Sequence, residues 1–155
     1  MILFKKASTA KEYQLGQSLF SKYAEDIGID LSFQGFEQEL QQLEKQYGPP
    51  EGALFLIYAD SDQPIGCFAL RKLQLEICEL KRMFLEKNYR GKGIGRQMME
   101  NALIEARNLG YNKIRLDSIQ SMKSAIALYE AFGFREIGPY RHNPFDDAIY
   151  FEKVL

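Results

Sequence analysis

Seven residues carry the first chemical signal: Arg90-Gly91-Lys92-Gly93-Ile94-Gly95-Arg96. Three glycines stand at alternate positions among basic side chains. Glycine admits positive φ and lets a backbone approach a ligand with no Cβ in the way. The stretch upstream, Glu79 to Leu85, is mostly apolar and β-capable, and the stretch downstream has helical spacing. A strand that turns through such a loop into a helix aims several free N–H groups at one point, where the helix dipole adds partial positive charge. That combination binds phosphate or pyrophosphate. Spacing removes two familiar phosphate loops. The string G-x-x-x-x-G-K-S/T is absent. The dinucleotide fingerprint G-x-G-x-x-G fails because Arg96 stands where its third glycine belongs. The plainer alternative is a glycine-rich turn with a solvated basic rim.

The elements around the loop follow from periodicity. Met1 to Lys6 reads as a short strand. Ser8 or Thr9 caps a helix from about Ala10 to Asp26, with Tyr13, Leu15, Leu19, Phe20, Tyr23 and Ile27 at three- and four-residue steps and Gly28 ending it. Gln34 to Tyr47 reads as one further helix, with Phe36, Leu40, Leu43 and Tyr47 on one face, stopped by Gly48-Pro49-Pro50. Ala53 to Ala59, Ile65 to Leu73 and Leu75 to Leu85 form an antiparallel meander. A helix after the loop ends at Gly110, Lys113 to Asp117 is a strand, and Met122 to Phe132 is a helix ended by Gly133. Phe134 to Ile137 and Ala148 to Val154 are the last strands. This order predicts an α+β fold on a mixed sheet.

Composition narrows the class. At 155 residues, 46% hydrophobic and 26% charged, the chain suits one domain with its own core, spanning residues 1–155. A net charge of −1 gives no global field toward nucleic acid. No apolar run approaches the roughly 20 residues that span a bilayer, and the first residues lack signal-peptide order, so a cytoplasmic protein without a membrane partner is expected. Cys67 and Cys78 form no CxxC and read as buried thiols, and a single histidine, His142, excludes a His-rich metal site, so no metal is expected.

Arg90 to Gly95 also fits the pattern Arg/Gln-x-x-Gly-x-Gly/Ala. In this setting it resembles the acyl-CoA-binding motif of the GCN5-related N-acetyltransferases, the GNAT superfamily, in its small stand-alone bacterial type. The match continues beyond the loop. Glu79-Leu80-Lys81-Arg82-Met83-Phe84-Leu85 leads into it as the family's fourth strand does. Residues 125–134 look like the family's "A-x-x-L-Y-E-x-x-G-F" helix and turn. The specific resemblance covers roughly residues 76–137; before it, only the topology of two helices ahead of the meander agrees.

The resemblance implies a mostly antiparallel sheet splayed between its fourth and fifth strands, flanked by about four helices. It implies acetyl-CoA as co-substrate, with pantetheine on the backbone of Met83, Phe84 and Leu85. The pyrophosphate would lie on the N–H groups of Arg90, Gly91, Lys92, Gly93, Ile94, Gly95 and Arg96. It implies Glu79 as the base that takes the amine's proton and Tyr129 as the acid that protonates the leaving thiolate. Met122 stands where many members have Asn, with Ser121 or Ser124 as substitutes. An acyl-cysteine route is disfavoured, because Cys78 and Glu79 alternate in facing.

The resemblance implies as acceptor a primary amine of a small molecule or peptide; a polyamine, an amino acid, an aminoglycoside and a protein N-terminus stay open. Asp30 to Gln34 and Tyr140 to Asp147 are expected to wall its pocket, with Asp30, Glu79, Asp146 and Asp147 either attracting a cation or serving as caps and turns. Glu76, Glu79, Lys81 and Arg82 could instead be a solvated strand face. The chain would be a monomer or homodimer. A non-catalytic acyl-CoA sensor on the same fold is the second reading. A nucleic-acid module using Arg82, Lys87, Arg90, Lys92 and Arg96 is the third, and the net charge opposes it.

Overall fold

Thr9 opens the first helix with a capping box: its Oγ1 accepts the Glu12 N–H at 3.2 Å, and Glu12 Oε1 accepts the Thr9 N–H at 3.1 Å. In the computed structural model, which describes residues 1–28, 30–32 and 35–155, this helix (α1) spans Ala10–Ile27 and ends at Gly28. It follows strand β1, Leu3–Lys6. The expected second helix is two: α2, Phe36–Gln41, and α3, Leu43–Tyr47. Gln42 leaves helical dihedrals at φ −131° and ψ 34°. The apolar spacing runs on through the break, so periodicity alone reads a single helix.

The meander follows as β2 (Ala53–Tyr58), β3 (Pro64–Gln74) and β4 (Ile77–Leu85). Then come α4 (Ile94–Asn108), β5 (Lys113–Ile119), α5 (Lys123–Ala131), β6 (Arg135–Ile137) and β7 (Ala148–Val154). The sheet order is β1-β2-β3-β4-β5-β7-β6. Its pairs are antiparallel except β4 with β5, which are parallel. The mixed α+β architecture is the one expected, with five α-helices among the described residues where about four were expected.

Two features of β4 shape everything downstream. First, its pairing with β5 stops after Ile77↔Lys113, Cys78↔Ile114 and Glu79↔Arg115, and the strands then diverge. Second, β4 carries a bulge. Cys67↔Phe84 and Ala69↔Lys81 are both in register, so β4 takes three steps where β3 takes two. Arg82 absorbs the extra residue at φ +56°, a left-handed conformation rare for a non-glycine residue. The bulge changes the strand's phase. Cys78 and Leu80 belong to the core beneath α4 and α5, yet Phe84 belongs to the core beneath α1 and α3.

Those two cores sandwich the sheet. Phe68, Leu70, Met98, Met99, Ala102, Ile114 and Phe151 fill one side. Phe20, Tyr47, Leu54, Leu56 and Cys67 fill the other. Each large side chain fully buried there contributes about 1.5–3 kcal/mol. Among the described residues, no helix is long and apolar enough to cross a membrane.

Candidate active site

Glu79 sits at the vertex where β4 and β5 part, and it is fully buried. Its register partner on β3 is Arg71, whose Nε and Nη2 lie 3.1 and 3.0 Å from Oε1. Tyr140 Oη donates to Oε2 at 2.6 Å, and Arg141 Nη2 contacts the same oxygen. Burial pushes the carboxyl up, but the charges of Lys81, Arg141 and Arg71 and the Tyr140 hydroxyl outweigh it, so it stays below the usual carboxylate range. Glu79 is therefore an ionised carboxylate with both oxygens engaged.

Beside it lies a second buried pair. Arg82 Nε and Nη2 donate to Glu39 Oε2 and Oε1 at 2.9 and 2.7 Å. Tyr47 Oη adds a bond to Glu39 Oε2 at 2.9 Å. The guanidinium also lies 5.7 Å from the Tyr23 ring centre and 5.3 Å from that of Phe36. Lys81, equally buried, has its Nζ 3.8 Å from Asp117 Oδ1 on β5. Burial and then Arg82 hold the Lys81 amine down to about 8. This overturns the solvated-face alternative for Glu79, Lys81 and Arg82: all three are buried, and of the four residues in that alternative only Glu76, at the turn before β4, is exposed.

A cleft of about 50 Å³ opens in the gap between the strands. Leu80, Lys81 and Arg82 form its β4 wall, and Asp117, Ser118, Ile119 and Met122 its β5 wall. Tyr23, Ile27 and Leu31 close it from the α1 side, and Asn143 and Phe145 from the segment before β7. Both expected walls thus contribute; Phe33 and Gln34 lie outside the described residues. Asp30 accepts the Ser32 N–H at 2.9 Å and is a turn residue, and Asp146 is exposed. At the usual Asn position, Met122 meets the Ser118 hydroxyl through its sulfur at 3.6 Å.

Tyr129, on α5, is buried with its ring 5.9 Å from Phe134 and 5.8 Å from Phe151. Burial, then the nearby Tyr23 and Asp117, push its phenol well up. It is protonated at neutral pH, as a proton donor must be. Both cysteines are buried, and burial raises both thiols, that of Cys78 to about 12. Neither is poised as a nucleophile.

At the other end of β4, the glycine loop has the expected form. Gly91 and Gly93 take φ +78° and +83°. Gly93 is the N-cap of α4, and no side chain caps the helix. The Gln97 N–H bonds to Gly93 O at 3.3 Å, leaving the N–H groups of Ile94, Gly95 and Arg96 at the open helix end. A Cβ at Gly91, Gly93 or Gly95 would meet no atom within 4 Å, so the space beside the loop is open. The basic side chains turn elsewhere. Arg90 donates to Leu85 O at 2.7 Å and to Asp26 at 3.0 Å. Lys92 sits 5.8 Å from the Tyr89 ring centre, and Arg96 sits 5.0 Å from that of Phe132. Phe84 and Leu85 pair with β3 on one edge only, because β5 has already diverged. A ligand with amide groups fits that edge and a diphosphate fits the loop.

Residues 18–134 match the model of the acetyltransferase (GNAT) family. The chain belongs to that family. It is an acetyltransferase. A relative from Schizosaccharomyces pombe, named an uncharacterized N-acetyltransferase, is 31% identical over 133 residues, 85% of this chain and 82% of its own. An acetyltransferase structure from Streptococcus agalactiae superposes with a TM-score of 0.80 at 23% identity, covering 99% of this chain and 98% of that one. A GNAT family acetyltransferase from Elizabethkingia anophelis with acetyl-CoA bound shares the fold at a TM-score of 0.67 and 19% identity, with 99% and 98% covered.

Sequence reasoning missed Glu39, Arg71, Asp117, Tyr140 and Arg141 as members of the buried network. Two signals were present. Glu39 falls inside the apolar stripe of Phe36, Leu40 and Leu43, where a charge demands a partner. Tyr140 and Arg141 open the turn-rich segment already assigned to the site.

Proposed function

We propose that the chain transfers the acetyl group of acetyl-CoA to a primary amine of a small molecule or peptide, acting in the cytosol. One observation carries the reading: the free edge of β4 leads, through a single 3-10 turn at Lys87–Tyr89, into an uncapped, glycine-opened helix start. In this reading the backbone of Met83, Phe84 and Leu85 binds the pantetheine amides. The N–H groups from Arg90 to Arg96 bind the diphosphate. The amine nitrogen attacks the thioester carbonyl from the cleft, forming the amide C–N bond as the C–S bond breaks. Tyr129 gives its proton to the departing sulfur.

Glu79 receives the amine's proton. Its low basicity and engaged oxygens make this a late step, after attack has made the nitrogen acidic, with the Tyr140 hydroxyl or a water as the intermediary. Glu79→Gln should lower kcat by about 100-fold or more, with the melting temperature recorded alongside to separate chemistry from folding.

The test of the reading is thermal stabilisation by acetyl-CoA followed by an amine screen with thiol detection. At 100 times its Kd, acetyl-CoA should add about 2.7 kcal/mol of stability. Stabilisation without thiol release from any amine would favour a sensor. No stabilisation would remove both readings.

A further inference from the structure

The cleft between β4 and β5 carries an amine of its own. Among the described residues that line it, Lys81 is the only one with an aliphatic amino group. On β4, Glu79 pairs with Arg71 and Lys81 with Ala69. Residues two apart share a strand face, and so do paired residues on neighbouring strands. Ala69 packs in the core beneath α1 and α3. The Lys81 side chain therefore leaves the sheet on that side, where Tyr23, Ile27 and Leu31 close the cleft, and on the same face as the Glu79 carboxylate.

Charges face this nitrogen from every element packed against it. Glu79 and Arg82 act on it from β4, Asp117 from β5 and Arg141 from the segment before β7. Glu39 acts from α2, and Tyr23 of α1 shares the cleft. Asp117 Oδ1 lies 3.8 Å away. With the amine held down to about 8, roughly a tenth of it is neutral at pH 7. A neutral amine keeps its lone pair while its N–H groups donate, so its neighbours leave it able to attack, and desolvation favours that form. In the acetyl-transfer reading the diphosphate lies at Arg90 to Arg96 and the pantetheine along Leu85 to Met83. The donor then runs down β4 toward Lys81, which lies two residues beyond Met83 and next in line for the thioester.

Resting on that reading, we propose that Lys81 is a self-acetylation site: when no other amine fills the cleft, its Nζ takes the acetyl group of bound acetyl-CoA. The ammonium first releases a proton to solvent. Nζ then attacks the thioester carbonyl carbon. The C–N bond forms as the C–S bond breaks, the nitrogen gives up one further proton, and the departing thiolate takes one up to leave as the CoA thiol. The product is an uncharged amide that adds an acetyl group to a cleft of about 50 Å³ and removes the cation beside Asp117.

The test incubates the full chain with acetyl-CoA and no added amine. Acetylated lysines are mapped over time by peptide mass spectrometry, with thermal stabilisation by acetyl-CoA recorded in parallel. Lys81 should be acetylated at a rate that saturates with acetyl-CoA and exceeds that of every other lysine by at least about tenfold, because it is held at the donor and is more often neutral. Excess free CoA should suppress the mark on Lys81 and leave exposed lysines unchanged. The Lys81 rate should level off above about pH 8, while exposed lysines keep accelerating. Stabilisation by acetyl-CoA with Lys81 unmodified would overturn self-acetylation and leave donor binding intact. Acetyl groups spread over many lysines without saturation would also overturn it. Neither stabilisation nor acetylation would remove the transfer reading and this site together.

Discussion

On the acetyl-transfer reading, the two ends of β4 would solve recognition by opposite means. At the Glu79 end, side chains do the work: two arginines and a tyrosine fix one carboxylate, and Lys81, Arg82 and Asp117 crowd the cleft. At the loop end, the backbone would do it, through an uncapped helix start and a free strand edge, while the basic side chains meet other partners. The comparison teaches where each end is vulnerable. The first should be sensitive to the identity of single side chains, the second to backbone conformation and little else.

The largest effect should come from breaking a buried pair at the first end. Arg82→Met leaves the Glu39 carboxylate buried without its bidentate partner, and it should cost about 3–5 kcal/mol in urea unfolding. Adding Glu39→Met should recover much of that loss, because the uncompensated charge is gone. A double variant no more stable than the single one would mean that the pair is not what holds α2 to the sheet.

Next comes Tyr129→Phe, which keeps the ring packing on Phe134 and Phe151 and removes the proton. It should slow turnover by about 100-fold, with acetyl-CoA affinity, read by calorimetry, within about twofold. An affinity that falls with the rate would assign the hydroxyl to binding.

At the loop end, Gly93→Ala forces a Cβ onto a residue at φ +83° and into the open space beside the loop. It should weaken acetyl-CoA about tenfold, against less than about threefold for Lys92→Ala. Equal losses would erase the contrast between the two ends.

The smallest effect is a control remote from both. Thr9→Ala removes one half of the capping box and should cost about 1 kcal/mol with both ligand affinities unchanged. Glu12, the other half, is held down to about 2 by its bond to Lys5 and then by the Ser8 N–H. A carboxyl that is more acidic when folded stabilises fully above its ordinary 4.5 and loses that contribution as pH falls toward 2. In Glu12→Gln, the drop in melting temperature across that window should shrink.

The contrast also explains what the sequence could say. The loop's conformation was legible because glycine spacing writes backbone conformation directly into the string. Helix α1 was legible for the same local reason: a cap, a stripe and a terminal glycine. The cleft was not. Glu79, Lys81 and Arg82 read equally well as a solvated face, because an alternating charged strand looks the same whether water or another element covers it. What covers it here is Glu39 on α2 and Tyr140 and Arg141 before β7, some 40 and 60 residues away. The bulge at Arg82 was equally silent, since any residue can occupy the extra position once neighbours hold it there. The break at Gln42 hid behind uninterrupted apolar spacing.

The pairing of Arg90 has a consequence for the conditions under which the protein works. Its charge is committed to Asp26 and the Leu85 carbonyl, and Lys92 and Arg96 lie over aromatic rings. A diphosphate held chiefly by peptide dipoles at short range is screened far less than one held by exposed cations. Affinity for acetyl-CoA should then be nearly flat as ionic strength rises from dilute buffer through the physiological range, so that supply of the donor, rather than the salt around it, sets how fully the site is filled.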